Sequence, residues 1–178
     1  MEPSIKVGMA EMAVLKDSGE LCSLGLGSCV AVCLYDLPTK IAGMAHVMLP
    51  DSERSMDPGN KGKFADLAVP LLISRMTALG ADALRLVAII VGGAEMFSFP
   101  GRSYSALRIG ERNIEAVKKL LEECGIPIIG ESVAGKQGKS VSFDVSTGII
   151  QVRTLMGGFA EFSFADSGER VIGSVRCE

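Results

Sequence analysis

A cysteine and the sole histidine of this sequence are the residues whose types suggest catalytic chemistry. Cys29 follows a glycine-rich segment, and His46 lies in an apolar stretch further along the chain. A cysteine attacks as its thiolate, so it needs a neighbour that accepts its proton, and imidazole does this near neutral pH. Because no second histidine is present, any imidazole base must be His46. Ser23 supplies a hydroxyl that could orient the imidazole through a hydrogen bond.

The sequence around these two residues predicts a β-hairpin that would bring them to one face. Two apolar runs flank a short segment that contains Asp and Pro, which is typical of a hairpin loop. If the loop closes with Asp36 opposite Ile41, Ala31 lies opposite His46. Cys29 then lies diagonally from His46 on the same face, about 7 to 8 Å away between backbones. A register shifted by two would place them directly opposite, whereas a shift of one would put them on opposite faces.

The glycines before Cys29 have a predicted role of their own. Gly25, Gly27 and Ser28 would let the backbone approach a substrate closely and direct N–H groups at a developing oxyanion. The alternative is that Cys29 and Cys33 are small apolar residues buried in strands, which is the usual role of such cysteines. A lone histidine in an apolar strand is likewise often structural. Residue types and spacing leave both interpretations open.

The remaining pattern predicts a single mixed α/β (α+β) domain. Strands outnumber helices, and the expected architecture is a layered sandwich of mixed, largely antiparallel sheets flanked by helices. The first helix contains Pro70, which predicts either a kink or a helix that begins near that residue. Polar loops are expected around 52–63 and 98–105. Strands are predicted within 5–15, 21–33, 41–49, 84–91, 126–129, 141–145, 149–154 and 159–164, and helices within 64–79 and 114–124.

Composition and charge exclude several classes of protein. A formal charge of -3 and a pI near 5.3 argue against nucleic acid as the partner, because phosphate binding requires clustered Lys and Arg. The five cysteines lack the paired spacing of a zinc site, and their odd number does not favour a disulfide framework. The N-terminus has no pattern of a secretory signal, and the longest apolar run is too short to cross a bilayer. We therefore expect a cytoplasmic protein without membrane insertion.

Five sequence blocks form a specific pattern together. They are Leu24-Gly25-Leu26-Gly27-Ser28-Cys29-Val30, Gly43-Met44-Ala45-His46-Val47-Met48-Leu49-Pro50-Asp51-Ser52, Lys63-Phe64-Ala65-Asp66, Gly92-Gly93-Ala94-Glu95-Met96-Phe97 and Ile109-Gly110-Glu111-Arg112-Asn113. Together they resemble the chemoreceptor glutamine deamidase family, CheD, and they occur in family order. The resemblance is strongest over residues 5–155 of a single domain that spans 1–178. The role of the C-terminal extension, 156–178, is not indicated, although an edge strand or a frayed terminus is expected.

The resemblance implies a fold similar to that of bacterial toxin deamidases and a catalytic triad. Cys29 and His46 match its nucleophile and base, and Ser23 stands where the family commonly has Thr. The implied reaction hydrolyses glutamine side chains on the cytoplasmic domains of chemotaxis receptors to glutamate and ammonia, without a cofactor. The implied partner besides the receptors is the phosphatase CheC. Gly92, Gly93 and Asn113 match motifs too, but a tight turn and a helix-start contact explain them as well as substrate binding does.

Two alternatives stay open at this point. In the first, the protein is a non-catalytic chemotaxis adaptor that binds receptor or CheC, and its cysteine and histidine merely pack in the core. In the second, the same three residues cleave receptor methyl esters or transfer glutamine acyl groups to amines. Thiol labelling would separate the first alternative from an enzyme, because a packed cysteine stays inert. The mass of the product would decide the second.

Overall fold

The computed structural model of the protein describes residues 2–57, 59–96 and 108–166. Within these ranges the chain forms ten strands and two α-helices, which confirms that strands outnumber helices. The strands are β1 (Ser4–Lys6), β2 (Met12–Lys16), β3 (Glu20–Leu26), β4 (Val30–Asp36), β5 (Ile41–Val47), β6 (Val87–Gly92), β7 (Ile128–Val133), β8 (Lys139–Asp144), β9 (Ile149–Thr154) and β10 (Phe159–Ser163), and the helices are α1 (Ala65–Ala78) and α2 (Ile109–Glu123).

The strands are arranged in two five-stranded sheets. The first sheet has the order β1-β3-β8-β9-β10, and the second has the order β2-β5-β4-β6-β7. Neighbouring strands are antiparallel except for two parallel pairs, β1 with β3 and β6 with β7. The predicted mixed and largely antiparallel sheets are therefore confirmed.

Two apolar clusters hold the layers together. One lies between the sheets and includes Phe143 of the first sheet and Met44 of the second. The other packs the opposite face of the second sheet against the helices and includes Leu34 of β4, Leu72 of α1 and Val117 of α2. Every residue of β4 and β5 is buried because both faces of the second sheet are covered, which explains why these strands are apolar apart from Asp36 and His46.

The hairpin of β4 and β5 has the predicted register. Asp36 lies opposite Ile41, and Ala31 lies opposite His46. Residues 37–39 form a short 3-10 turn, and Lys40 closes it in the left-handed region at φ 50°. Since side chains alternate along a strand, this register fixes which residues of the hairpin face the first sheet.

The helices differ in their starting points from the prediction. α1 begins at Ala65 and contains Pro70 in its interior, so the prediction that the helix begins near Pro70 is wrong. α2 begins at Ile109, one turn before the apolar stripe that predicted it, because Gly110 and Asn113 of its first turns are also buried. The loop predicted around 98–105 lies outside the described residues.

The chain beyond Thr154 contributes a strand at a sheet edge. β10 pairs with β9 alone in the first sheet, as expected for an edge strand.

In the three described ranges, neither helix has the length and apolar composition needed to cross a bilayer.

Candidate active site

The candidate site lies where the chain passes from the first sheet to the second. β3 belongs to the first sheet and β4 to the second, and Gly27, Ser28 and Cys29 connect them. The pairing of β3 with β8 shifts register after Ser23, and Gly25 adopts a positive φ of 66° there. This irregularity is the turn for which glycine is suited, because a Cβ would strain that backbone.

His46 lies between the sheets with little access to solvent. It projects from β5 towards the first sheet, and only 3% of its surface is exposed. Its Nδ1 atom is 2.9 Å from the Oγ atom of Ser23, which is itself fully buried on β3. The predicted contact between these two side chains is therefore present, and it joins one sheet to the other.

The hydrogen bonds of Ser23 determine which nitrogen of His46 carries the proton. The Ser23 hydroxyl lies 2.8 Å from the carbonyl oxygen of Val7, which can only accept, so the hydroxyl must donate to it. Because its single hydrogen is used in that bond, the Ser23 oxygen accepts a hydrogen bond from Nδ1–H of His46. The carbonyl of Val7 is also 3.4 Å from Nδ1 and favours the same tautomer. Nε2 is then the nitrogen with the free lone pair.

Nε2 of His46 is buried and has no hydrogen-bond partner within the described part of the chain. Burial lowers the pKa of His46 from its ordinary value, although its hydrogen bond with the Val7 backbone and the charge of Glu11 oppose this shift. The imidazole is therefore neutral at neutral pH. An unpaired, unprotonated nitrogen in such a position is a proton acceptor at hand for a substrate or a neighbouring group.

Cys29 lies on the same face of the second sheet as His46. It precedes β4, is half-buried, and packs against the apolar cluster between the sheets together with Ala31. Burial raises the pKa of the Cys29 thiol, and a hydrogen bond from its own backbone N–H partly offsets the rise. Burial therefore disfavours charge on the thiol and on the imidazole alike.

The backbone before β4 is held by the end of β6. The N–H of Gly93 donates to the carbonyl of Cys29 at 2.8 Å, and the N–H of Ala94 donates to the carbonyl of Gly27 at 2.7 Å. Gly92 has a φ of 116°, and a Cβ on it would lie 2.2 Å from the Cys29 oxygen. Gly92 is thus required by its close approach to the backbone of Cys29, whereas a Cβ on Gly93 would lie 2.5 Å from the side chain of Ile114 on α2.

Two other motif residues support the site from further away. Asn113 is fully buried on α2, and its amide contacts the backbone of Ser28 and Met48. Asp66 accepts hydrogen bonds from the backbone and the hydroxyl of Ser52, at 3.0 and 2.8 Å, and so fixes the chain that follows β5. The helix-start contact considered for Asn113 is wrong, because its amide contacts other elements.

One contributor to the site had no signal in the sequence. The carbonyl of Val7 holds both Ser23 and His46, yet a backbone acceptor can come from any residue type. The pairing of β1 with β3 brings Val7 near Cys22, whose carbonyl accepts from the Val7 N–H at 2.7 Å. The role of Val7 could have been predicted only if the pairing of β1 with β3 had been known in advance.

Comparison with known proteins identifies the family. The model of the family described as CheD chemotactic sensory transduction matches residues 48–154, which is more than half of the chain and begins just after His46. A probable chemoreceptor glutamine deamidase CheD of Moorella thermoacetica is 45% identical over 151 residues, covering 85% of this chain and 90% of that protein. The corresponding protein of Clostridium kluyveri is 46% identical over 157 residues, with coverages of 88% and 96%. The chemoreceptor glutamine deamidase CheD of Halalkalibacterium halodurans is 45% identical over 162 residues, with coverages of 90% and 99%. This chain belongs to the CheD family.

Proposed function

We propose that this protein is a chemoreceptor glutamine deamidase in which Cys29 is the nucleophile, His46 is the general base and acid, and Ser23 orients His46. The observation that supports this most directly is the state of the His46 ring. Its Nδ1 is hydrogen-bonded to Ser23, and its Nε2 has no partner in the described residues, on the face of the sheet to which Cys29 also belongs. A histidine kept only for packing would normally have both nitrogens satisfied.

The proposed reaction starts from a neutral thiol and a neutral imidazole. As Sγ of Cys29 attacks the side-chain carbonyl carbon of glutamine, Nε2 of His46 takes the thiol proton, and negative charge develops on the substrate oxygen. The imidazolium then donates that proton to the amide nitrogen, and ammonia leaves. Water attacks the resulting thioester while Nε2 takes one of its protons, and collapse releases glutamate and returns the proton to the thiol.

The backbone of the connecting segment supports stabilisation of the oxyanion. The carbonyls of Gly27 and Cys29 are held by Ala94 and Gly93, and the N–H of Cys29 has no backbone acceptor among the described residues. An N–H group in this position is available to the thiolate or to the oxyanion. One donor of this kind contributes on the order of a hundredfold in rate.

Replacement of Cys29 tests the proposal directly. The purified protein is incubated with the cytoplasmic fragment of a chemoreceptor, and ammonia release and the mass of the receptor fragment are measured. Cys29→Ala should abolish turnover, because the other cysteine on that face of β4, Cys33, is fully buried in the apolar cluster and out of reach of a substrate. Cys22→Ala is a matched control on β3 that should retain turnover, since Cys22 takes no part in the proposed chemistry. Undiminished ammonia release by Cys29→Ala would refute the assignment.

The proposal includes the phosphatase CheC as a partner that covers the same cleft. Two exposed apolar side chains beside the connecting segment support this: Leu24 on β3 is 54% exposed, and Met96, which packs on Gly27, is 45% exposed. Titration with purified CheC should reduce deamidation of the receptor fragment, and Leu24→Ser should weaken that inhibition. Failure of the two proteins to form a complex would contradict this part of the proposal.

We further propose a cytoplasmic location. The proposed substrate is the cytoplasmic part of the receptor, and cysteines stay reduced in the cytosol. All four described cysteines carry free thiols, which is consistent with such a compartment.

A further inference from the structure

The side chain of Asn113 connects the segment before β4 to the segment after β5, next to the candidate catalytic residues. Asn113 lies on α2 and is fully buried. Its Nδ2 atom donates one hydrogen bond to the carbonyl of Ser28 and one to the carbonyl of Met48, each 2.9 Å long. Both amide hydrogens are therefore used, and neither bonds to the helix itself.

The two acceptors lie just outside the paired part of the hairpin. The ladder between β4 and β5 ends with Val30 opposite Val47. Ser28 precedes this pair on one strand, and Met48 follows it on the other. The amide of Asn113 therefore takes the place of the next ladder contact and fixes the separation of the two chain ends, with Cys29 immediately inside one of them.

One of the two bonds also controls the direction of an N–H group. The Ser28 carbonyl and the Cys29 N–H belong to the same planar trans peptide unit, so they point in opposite directions. Holding the carbonyl on Asn113 therefore turns the Cys29 N–H away from α2 and keeps it beside the thiol. This is the backbone N–H whose hydrogen bond opposes the rise in the pKa of Cys29.

We propose that Asn113 is a positioning residue of the active site, which acts through the Ser28–Cys29 peptide unit and fixes the Cys29 N–H against the nucleophile. This inference rests on the proposed function for its kinetic consequence, but the geometry applies to the thiol whatever the substrate. Apart from the Cys29 thiol itself, no other described side chain hydrogen-bonds to the backbone of residues 27–29. Gly93 and Ala94 hold the neighbouring carbonyls with their backbones, so the middle carbonyl alone depends on a side chain.

Two variants of Asn113 test the role. Asn113→Asp keeps the shape of the side chain but cannot donate two hydrogen bonds, and Asn113→Ala removes the group. We expect kcat for receptor deamidation to fall about 10-fold to 100-fold with KM nearly unchanged, because the lost bonds act on the reacting groups rather than on the receptor surface. The rate of Cys29 alkylation by iodoacetamide should fall at pH 8, and its pH profile should move to higher pH, since the thiolate loses a fixed donor.

A core variant on the same helix provides the control for simple loss of stability. Val117 lies one turn after Asn113, is fully buried, and packs against the second sheet. Val117→Ala should lower the melting temperature without changing kcat or the alkylation profile. If the Asn113 variants show only a lower melting temperature, and their kcat and alkylation pH profile match those of Val117→Ala, the inference is overturned. Should Asn113→Ala not fold, Asn113→Ser carries the same comparison.

The alkylation assay distinguishes this inference from the proposed function. It needs no receptor, so a shifted profile in the Asn113 variants supports the positioning role even if the unmodified protein releases no ammonia. In that event the deamidase proposal alone fails. If the unmodified protein deamidates the receptor and the Asn113 variants do so equally well, the positioning role alone fails.

Discussion

Ser23→Ala is the replacement whose effect follows most directly from the geometry of the site. It removes a hydroxyl that donates to Val7 over 2.8 Å and accepts from Nδ1 of His46 over 2.9 Å. The Val7 carbonyl, 3.4 Å from Nδ1, is then the remaining acceptor for the imidazole. The ring should lose its fixed orientation, and the tautomer with a proton on Nε2 should become populated.

The magnitude follows from the hydrogen bonds that are lost. A buried hydrogen bond between neutral groups contributes about 1 kcal/mol, and the long contact with Val7 recovers only part of it. Because about 1.4 kcal/mol corresponds to a factor of ten in rate, a net loss below about 1 kcal/mol predicts a fall in kcat of about 2-fold to 5-fold, far less than after loss of the nucleophile. Ser23→Thr keeps the hydroxyl and should stay close to the unmodified enzyme.

Two measurements check this prediction. Steady-state deamidation of a receptor fragment gives kcat and KM for both variants. Nitrogen NMR of the imidazole is unambiguous because the chain has a single histidine. It should show a proton on Nδ1 and none on Nε2 in the unmodified protein, and a mixture of tautomers in Ser23→Ala. A proton on Nε2 in the unmodified protein, or an unchanged kcat in Ser23→Ala, would refute the reasoning.

Three further predictions concern stability and the backbone of the site. Folding lowers the pKa of His46 from 6.5, so as the pH falls the imidazole is protonated in the unfolded chain before it is protonated in the folded protein. The free energy of unfolding should therefore fall as pH drops below about 6.5. Urea titrations of the protein and of His46→Gln should show this loss only when His46 is present. Gly92→Ala should lower the melting temperature and slow the alkylation of Cys29. The Cβ of the new alanine would lie 2.2 Å from the Cys29 oxygen and cannot be accommodated unless that backbone moves. Unchanged alkylation would contradict the proposed packing. Asp36→Asn removes a carboxylate that accepts from Arg85 at 2.8 and 2.9 Å at the far end of β4, so it should cost about 1 to 3 kcal/mol in chemical denaturation while leaving kcat unchanged.

The local part of the site could be predicted from the sequence. The short loop after Asp36 fixes which residues of β4 and β5 pair, and the alternation of side chains along a strand then puts Cys29 and His46 on one face. Both steps depend on neighbours within one hairpin, so they need no knowledge of the rest of the chain. The glycine-rich blocks likewise indicated where backbone segments approach closely, as Gly92 and the Cys29 carbonyl do.

Only the tertiary structure decided how these groups are held and charged. Ser23 reaches His46 from the other sheet, Val7 contributes a carbonyl from the residue that follows β1, and Asn113 reaches Ser28 from a helix far along the chain. Contacts between distant segments depend on how the layers pack, which residue spacing does not encode. The pKa directions depend on the same packing, because burial between two sheets disfavours charge on both the thiol and the imidazole. The sequence by itself therefore determined which residues share a face, and the sandwich determined that the thiol and the imidazole on that face are both neutral.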